Sequence, residues 1–452
     1  MNLPKVLFIL PFWMRSSTRQ SFKVQKDSKE LFPLLSHPPF PICGFLRDCG
    51  VRRDIAFGSH LTSVKIILSS SSMWLVTTVH PCVPSLVSSL GVTEISNVSV
   101  SEDSGLGSEL LHKIARKPQL SSLAAIDLQR LCITDRVVFD ELADITARGK
   151  MESTMRAVLR RTFEEIRDAD FSGVPDHIKR LIETLKRQYG VENRGLVEMS
   201  DVEIEQNIIE YEVANPEHRL ICAVTWAFAS IVVGHTDPLE LFFGTRAAES
   251  LYSNMFSRHN EIGQLGKFLD LLSHETPSLR ILEVGAGAGS ASSLFLAILQ
   301  GFEHETGQTR FREFIYTDIS PSFFEDAQEK SKTFRDRMYF KTLDIEIDPQ
   351  EQGFEPETFD LVIAGNAIHT CKDISTTLTR VRKLLKPHGF LALLERTNPE
   401  SLSLNFVFGV LKGWWNACED WRQNSALVTE EGWYGVLQQS GFSECQATLY
   451  DA

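Results

Sequence analysis

A cluster of glycines in the second half of the chain is the first place where residue types and spacing could do chemistry. Residues 281–290 read ILEVGAGAGS, and Glu283 precedes three regularly spaced glycines, Gly285, Gly287 and Gly289. Glycines at a turn between a strand and a helix permit positive φ angles and let a ligand lie against bare backbone at the helix N-terminus. The pattern predicts a cofactor-binding loop, with an ordinary tight turn as the alternative.

Three acidic residues at the ends of successive predicted strands indicate which cofactor the loop holds. The carboxylate of Glu283 suits a cationic amino-acid moiety better than a pyrophosphate. Asp318 ends the second strand, from where a carboxylate can accept ribose hydroxyls. Asp344 ends the third strand and could receive an adenine amino group. Each acid alone could be a helix cap or a solvated side chain, but together they favour S-adenosylmethionine over a dinucleotide.

The elements that must position these residues follow from the hydrophobic pattern after residue 279. Short buried strands alternate with helices, which predicts a parallel sheet covered on both faces. In such an open α/β, Rossmann-like fold the ligand lies beyond the carboxyl ends of the strands. The predicted strands span residues 280–284, 311–317, 338–343, 359–364 and 390–394, and the predicted helices include residues 294–299, 322–334 and 375–385.

The rest of the chain divides into two further regions. Residues 121–275 repeat apolar side chains at three- and four-residue spacing, which predicts a mostly helical subdomain. Residues 1–120 mix proline-rich turns with short β-branched segments, and we interpret them as an unassigned leader, either poorly ordered or a fragment of another domain. The cofactor-binding domain then covers residues 276–452.

Composition excludes several classes of function. A formal net charge of -13 argues against nucleic-acid binding, which needs clustered Lys and Arg. The eight cysteines form no C-x-x-C motif, so neither a metal site nor a disulfide framework is predicted, and a cytoplasmic location is expected. No apolar run approaches the ~18–20 residues that span a bilayer, so no membrane contact is expected.

Motifs between residues 211 and 442 resemble the C-methyltransferase domain of fungal highly reducing polyketide synthases, a class I methyltransferase dependent on S-adenosylmethionine. The most specific are Asn366-Ala367-Ile368-His369 and Gly413-Trp414-Trp415, because many class I methyltransferases share the glycine loop. Residues 121–275 resemble the N-terminal lid subdomain of that family more weakly. The other matching segments are 214–217, 237–241, 280–285, 317–324, 343–346 and 381–387.

The resemblance implies methylation at the α-carbon of a β-ketoacyl thioester. The substrate would be bound to an acyl carrier protein or offered as a small-molecule polyketide, and a polyketide synthase is the implied partner. The catalytic pair falls on His369 and Glu395, and Asn366 joins the cofactor-binding residues. An imidazole can take a proton from a carbon between two carbonyls, while the carboxylate holds the other ring nitrogen and stabilises the imidazolium. Without this context, His369 would be interpreted as a buried structural histidine.

The sequence departs from the family pattern at several positions. Ala288 and Ser290 stand where the family commonly has Thr and Gly, and Trp421 replaces a usual glycine. The first strand of a C-terminal antiparallel hairpin is expected near residue 443, with little chain left for the second. We therefore expect a detached or C-terminally truncated domain with an exposed sheet edge. An O- or N-methyltransferase of a small secondary metabolite, or an inactive synthase remnant, are the alternatives.

Overall fold

The described part of the chain forms a parallel sheet of seven strands, an antiparallel sheet of four strands and a helical subdomain. Most of the leader predicted for residues 1–120 lies outside the described residues. The computed structural model describes residues 5–10, 61–68, 73–79, 91–96, 113–132, 141–168, 172–189, 197–245, 247–253, 259–443 and 445–450.

Strands and helices alternate after residue 279, as the hydrophobic pattern predicts. The strands are β1 (Lys5–Leu10), β2 (Leu61–Leu68), β3 (Met73–Val79), β4 (Gly91–Ser96), β5 (Lys113–Pro118), β6 (Leu279–Val284), β7 (Phe311–Asp318), β8 (Met338–Thr342), β9 (Phe359–Gly365), β10 (Leu385–Leu394) and β11 (Cys445–Tyr450). The α-helices are α1 (Ala125–Cys132), α2 (Glu141–Glu165), α3 (Asp176–Tyr189), α4 (Asp201–Ala214), α5 (Arg219–Val232), α6 (Ala247–Ser253), α7 (His259–Glu275), α8 (Ser290–Thr306), α9 (Phe324–Lys330), α10 (Ile374–Leu384), α11 (Leu402–Phe408) and α12 (Glu430–Gln439).

The seven-stranded sheet has the order β11-β1-β10-β9-β6-β7-β8, and every neighbouring pair is parallel. Successive residues of a strand face opposite sides. Ile281 accordingly packs with α7 and α8, whereas Leu282 packs with α10 and α12. Because both faces are covered, the central strands read as nearly continuous apolar runs. The predicted Rossmann-like α/β fold with a preceding helical region is confirmed.

Two segments from opposite ends of the chain complete the sheet beyond β10. The strand β1 lies between β10 and β11, with Phe8 opposite Leu393 on one side and Thr448 on the other. Val6 and Leu7 are both fully buried, one toward each face, which suits an interior strand. The C-terminal strand expected near residue 443 is β11, and it pairs in parallel with β1 rather than within an antiparallel hairpin.

The helical subdomain is built from α2 to α6 and from chain that follows β10. In α3, Ile178, Leu181 and Leu185 are buried at the predicted helical spacing. The helix α11 packs into the same core, where the rings of Phe228 and Phe406 stack with centroids 3.9 Å apart. The subdomain therefore contacts the sheet domain through the segment between β10 and α12. None of the helices in the described ranges combines the length and hydropathy that a membrane crossing needs.

Candidate active site

Five neighbouring parallel strands end in polar residues at one edge of the sheet. Because the strands are parallel, their carboxyl ends meet there, at the usual ligand edge of an open α/β sheet. The sequence predicts three of these residues, Glu283, Asp318 and Asp344, from their positions at strand ends, and the family resemblance predicts the other two, Asn366 and Glu395. They are Glu283 as the next-to-last residue of β6, Asp318 at the end of β7, Asp344 after β8, Asn366 after β9 and Glu395 after β10.

The glycine loop between β6 and α8 lies close to its neighbours and leaves space above it. Gly285 and Gly287 have φ angles of 64° and 53°, which favour glycine. A Cβ on Gly285 would lie 2.6 Å from the Cβ of Ala367, so only glycine fits there without a shift. A Cβ on Gly287 would meet no protein atom within 4 Å and would instead occupy the cavity that this glycine lines.

Glu283 is buried beneath the glycine loop. Its Oε1 accepts a hydrogen bond from the backbone N–H of Ser292 at 3.2 Å, and its Oε2 accepts one from the hydroxyl of the same serine. Burial raises the pKa of Glu283 to about 7, opposed by the hydrogen bonds from Ser292 and reinforced by the nearby charge of Asp318. Ser292 was not predicted, although its place in the first turn of the helix after the glycines is a usable signal.

The second strand holds the glycine loop through side chains. One carboxylate oxygen of Asp318 accepts from the backbone N–H of Gly287 at 2.9 Å, and the other accepts from the N–H of Ser320 at 2.9 Å. The hydroxyl of Tyr316 donates to the carbonyl of Gly287 at 2.5 Å, and burial raises the pKa of this phenol. An ionised carboxylate can accept more than two hydrogen bonds, so these contacts leave Asp318 capacity for a ligand.

Asp344 and Asn366 are held in defined positions by the backbone around them. Oδ1 of Asp344 accepts from the N–H of Glu346 at 2.9 Å, while the side chain of Gln352 bonds both its N–H and its carbonyl. Asn366 has a φ angle of 50°, and its N–H donates to the carbonyl of Leu394 at 2.8 Å. A positive φ outside glycine is uncommon and tends to occur where function requires it.

His369 and Glu395 meet beside this edge. Nδ1 of His369 lies 2.7 Å from Oε2 of Glu395, whose other oxygen accepts the backbone N–H groups of Ile368 at 3.0 Å and His369 at 3.3 Å. Both side chains are buried. Because the carboxylate can only accept, Nδ1 is the donor, and Nε2 is the ring nitrogen left with a lone pair.

Two adjoining cavities bring the predicted residues together. A cavity of about 410 Å³ is lined by Glu283 and the glycine loop. A cavity of about 910 Å³ is lined by Asp318, Asp344 and His369. Tyr252 of α6, Gly285 and Asn366 line both cavities. Gly289 lines neither cavity, and a ligand that contacts the other predicted cofactor residues would therefore extend from the smaller cavity into the larger one.

Comparison with known proteins agrees with this geometry. The fold matches two solved structures that have 90% of their chains covered: the trans-methyltransferase CalH in complex with SAH (TM-score 0.54, 24% identity, 74% of this chain) and the citrinin polyketide synthase CMeT domain (TM-score 0.56, 23% identity, 70% of this chain). The sequence profile of the family described as "Methyltransferase domain" matches residues 282–391. Residues 282–391 therefore belong to a methyltransferase domain, and the sheet has the class I methyltransferase fold.

The sequence relatives of this methyltransferase include much larger proteins. It is 36% identical over 349 residues to highly reducing polyketide synthase 2 of Gibberella zeae, which covers 76% of this chain. The match spans 14% of that relative's own length. The resemblance read from the motifs is thereby confirmed, while the activity and partners of the whole relatives do not transfer with it.

The two tryptophans of the Gly413-Trp414-Trp415 motif have different surroundings in the methyltransferase. Trp414 lines the larger cavity, and its ring meets that of His369 edge-on, with centroids 5.9 Å apart. Trp415 instead donates from Nε1 to the carbonyl of Gly409 at 2.8 Å and packs against the guanidinium of Arg180. The first tryptophan is therefore a cavity wall and the second a core residue.

Two further contributors to the site were missed by sequence reasoning. Tyr252 comes from the helical subdomain, and no local pattern links it to the glycine loop. Arg422, which bonds the loop of His369, lies beside Trp421, the residue that the sequence comparison singled out. Trp421 is 54% exposed, so this departure from the family pattern lies at the surface.

Proposed function

We propose that this methyltransferase uses S-adenosylmethionine to methylate the α-carbon of a β-ketoacyl thioester in polyketide biosynthesis. The observation that carries the proposal is the His369–Glu395 pair, 2.7 Å apart, whose histidine lines a large cavity that adjoins the glycine loop. Methyl transfer to a nucleophile that already has a free lone pair and no proton to lose does not require a base. The α-carbon of a β-ketoacyl thioester must first lose a proton, which an oriented imidazole can take.

The proposed cofactor fits the residues around the smaller cavity. The open space over Gly287 admits a ligand against the backbone, and the buried carboxyl of Glu283 suits a cationic amino group. Asp318 and Asp344 would bind the ribose and the adenine, with Asn366 between the two cavities. When bound, the cofactor supplies a methyl group on a sulfonium sulfur and leaves as the neutral thioether.

His369 would move the proton. Nε2 takes the proton from the α-carbon, and the electron pair of the broken C–H bond becomes an enolate, whose carbon then forms the new C–C bond. Glu395 fixes the tautomer by accepting from Nδ1 and stabilises the imidazolium that forms. A positioned base of this kind contributes roughly 10²–10⁴-fold to the rate.

The larger cavity suits an acyl chain. Its volume of about 910 Å³ lies in the range of small-molecule sites. Apart from the residues already assigned, its wall is largely apolar, with side chains from α3, α5, α11 and the segment after α11. The apolar lining includes Ile178, Ile231, Leu404, Phe408, Val410 and Trp414.

The proposed context is a polyketide synthase. The substrate would reach the cavity on an acyl carrier protein or as a small thioester, and the match to a fungal highly reducing polyketide synthase supports this. Cysteines without a disulfide framework favour a reducing, cytoplasmic compartment.

Product analysis tests the proposal. The protein is incubated with ¹³C-methyl S-adenosylmethionine and a β-ketoacyl thioester of pantetheine or of a carrier protein, and NMR locates the labelled methyl. Label on the α-carbon supports the proposal. Label on oxygen or nitrogen favours the alternative small-molecule methyltransferase, and cofactor binding with no transfer to any acceptor favours the inactive remnant.

A further inference from the structure

A buried arginine joins the loop of His369 to the segment between α11 and α12. Arg422 has 3% of its surface exposed. Its Nη1 donates to the carbonyl of His369 at 2.6 Å, and its Nη2 donates to the carbonyls of Cys371 at 2.5 Å and Lys372 at 3.4 Å. One guanidinium thus holds three carbonyls of residues 366–374, named here the base loop.

Glu419 orients that guanidinium and reaches the end of the same loop. Its Oε2 accepts from Nε of Arg422 at 3.2 Å and from Nη2 at 2.8 Å. Its Oε1 accepts the backbone N–H of Ile374, the first residue of α10, at 2.7 Å. The pair satisfies a buried charge, as burial requires, and it bonds the base loop from its histidine to its last residue.

The backbone of His369 is therefore fixed from two sides. Its N–H donates to Glu395, and its carbonyl accepts from Arg422. The two partners come from different parts of the fold, since Glu395 follows β10 and Arg422 lies after α11. With both backbone polar groups bonded, the loop cannot tilt without breaking a hydrogen bond to a charged group.

A second arginine bonds the same segment between α11 and α12. Among the described residues, it makes no hydrogen bond to the base loop. Arg180 of α3 donates to the carbonyl of Gln423 at 3.0 Å, to its side-chain oxygen at 2.6 Å, and to the carbonyl of Trp415 at 3.4 Å. Gln423 directly follows Arg422. Arg180 therefore anchors the segment to the helical subdomain, and it offers a matched control for Arg422.

We propose that Arg422, oriented by Glu419, is a positioning residue that keeps His369 aligned with Glu395 and with the substrate. The proposal rests on the proposed function, in which His369 is the base. A displacement of about 1 Å in a reacting group can lower a rate on the order of 100-fold. Lysine is not an adequate substitute, because a single ammonium lacks the planar fork that reaches several carbonyls and a carboxylate together.

The test compares Arg422→Lys and Glu419→Gln with the control Arg180→Lys in the full chain. Active sites are counted by titration with S-adenosylhomocysteine, and turnover of a β-ketoacyl pantetheine is measured per site. We expect kcat to fall roughly 10- to 100-fold in the Arg422 and Glu419 variants with KM little changed. The Arg180 variant should keep the wild-type kcat per site.

Amide hydrogen exchange measures local opening of the base loop independently of turnover. Exchange in peptides from residues 366–374 should rise in the Arg422 and Glu419 variants and stay at the wild-type rate in Arg180→Lys. An unchanged kcat in Arg422→Lys, or an equal loss of kcat in Arg180→Lys, would overturn the proposal. If Arg422→Lys does not fold, the Glu419→Gln result decides in the same way.

A failure of the proposed function looks different. If the wild type methylates no β-ketoacyl thioester, the base assignment fails while the exchange comparison still stands. Faster exchange in the Arg422 and Glu419 variants alone would then support the positioning of the loop, and equal exchange in all three variants would overturn it.

Discussion

Nδ1 of His369 lies 2.7 Å from Oε2 of Glu395, and the second oxygen of the same carboxylate holds the backbone N–H groups of Ile368 and His369. One side chain therefore fixes both the ring and the peptide that carries it. Glu395 is fully buried, so water cannot replace it in these contacts. The arrangement fixes the imidazole tautomer in the way that base catalysis at Nε2 requires.

Replacing Glu395 with glutamine should remove most of the activity while preserving the fold. The amide oxygen can still accept the two backbone N–H groups, but its NH₂ would face Nδ1 and favour the tautomer that has a proton on Nε2. We expect kcat to fall roughly 10²–10⁴-fold with unchanged S-adenosylhomocysteine binding. Steady-state kinetics and calorimetry check this, and a loss of less than a few-fold would contradict the assigned role.

An alanine at Gly287 should block the cofactor. Its Cβ would stand in the open space over the loop, and its φ of 53° is strained for alanine. Gly307 at the other end of α8 has a φ of 67°, so Gly307→Ala imposes similar strain, of about 1–2 kcal/mol, away from the loop. We expect weaker S-adenosylhomocysteine binding only in Gly287→Ala. Equal affinities in the two variants would argue against a cofactor at this glycine.

Cofactor affinity should depend on pH through Glu283. Its pKa is raised to about 7 in the ligand-free protein, and a cationic ligand group beside it favours the ionised form and lowers that pKa. Binding then releases a proton, so the Kd for S-adenosylhomocysteine should fall as pH rises toward about 7 and level off above it. Calorimetry across this range measures the effect.

Two variants separate Glu283 from other titrating groups. Glu283→Gln should bind S-adenosylhomocysteine more weakly, and its Kd should no longer depend on pH. Ser292→Ala removes the hydroxyl that favours the ionised form of Glu283, which raises the pKa of this carboxyl. The pH range over which the Kd changes should therefore move to higher pH. In the ligand-free protein, the free energy of unfolding should instead decrease as pH rises toward about 7, because the folded state holds the proton of Glu283 more tightly than the unfolded state does. A pH dependence unchanged in Glu283→Gln would refute the assignment.

Substitution of the paired tryptophans should separate a cavity wall from a core residue. Trp414→Phe removes area from the wall beside His369, whereas Trp415→Phe changes a buried contact with Arg180. A hydrophobic pocket contact is worth about 1–3 kcal/mol, so we expect kcat/KM for the acyl thioester to fall at least tenfold in Trp414→Phe. Trp415→Phe should mainly lower the melting temperature. The reverse pattern would mean that Trp415 contacts the substrate.

Much of the sheet was predictable because each strand carries its own signal. Buried apolar runs predicted β6, β7, β8 and β9 to within one residue at each end. The polar edge of the sheet was also predictable, because the carboxyl ends of parallel strands meet at one edge and bring residues such as Asp318 and Glu395 close together. Their roles in binding and catalysis stay predictions. The helix expected over residues 322–334 is divided, since α9 covers only Phe324–Lys330 and short 3₁₀ turns flank it at Pro321–Phe323 and Lys332–Phe334.

The features that could not be predicted from the sequence depend on contacts between distant parts of the chain. The pairing of β1 with β10 joins residues that lie hundreds of positions apart, and a single apolar run cannot specify which strand it will meet. Arg422 was equally hidden, because its partners are backbone carbonyls, which every residue has. Tyr252 reaches the site from another subdomain.

The most direct test of the central claim is transfer of a labelled methyl group from S-adenosylmethionine to a β-ketoacyl pantetheine by the wild type and by His369→Ala. The proposed mechanism predicts label on the α-carbon with the wild type and a rate lowered roughly 10²–10⁴-fold in the variant, with equal S-adenosylhomocysteine binding. Transfer to the α-carbon at the wild-type rate by His369→Ala would contradict it.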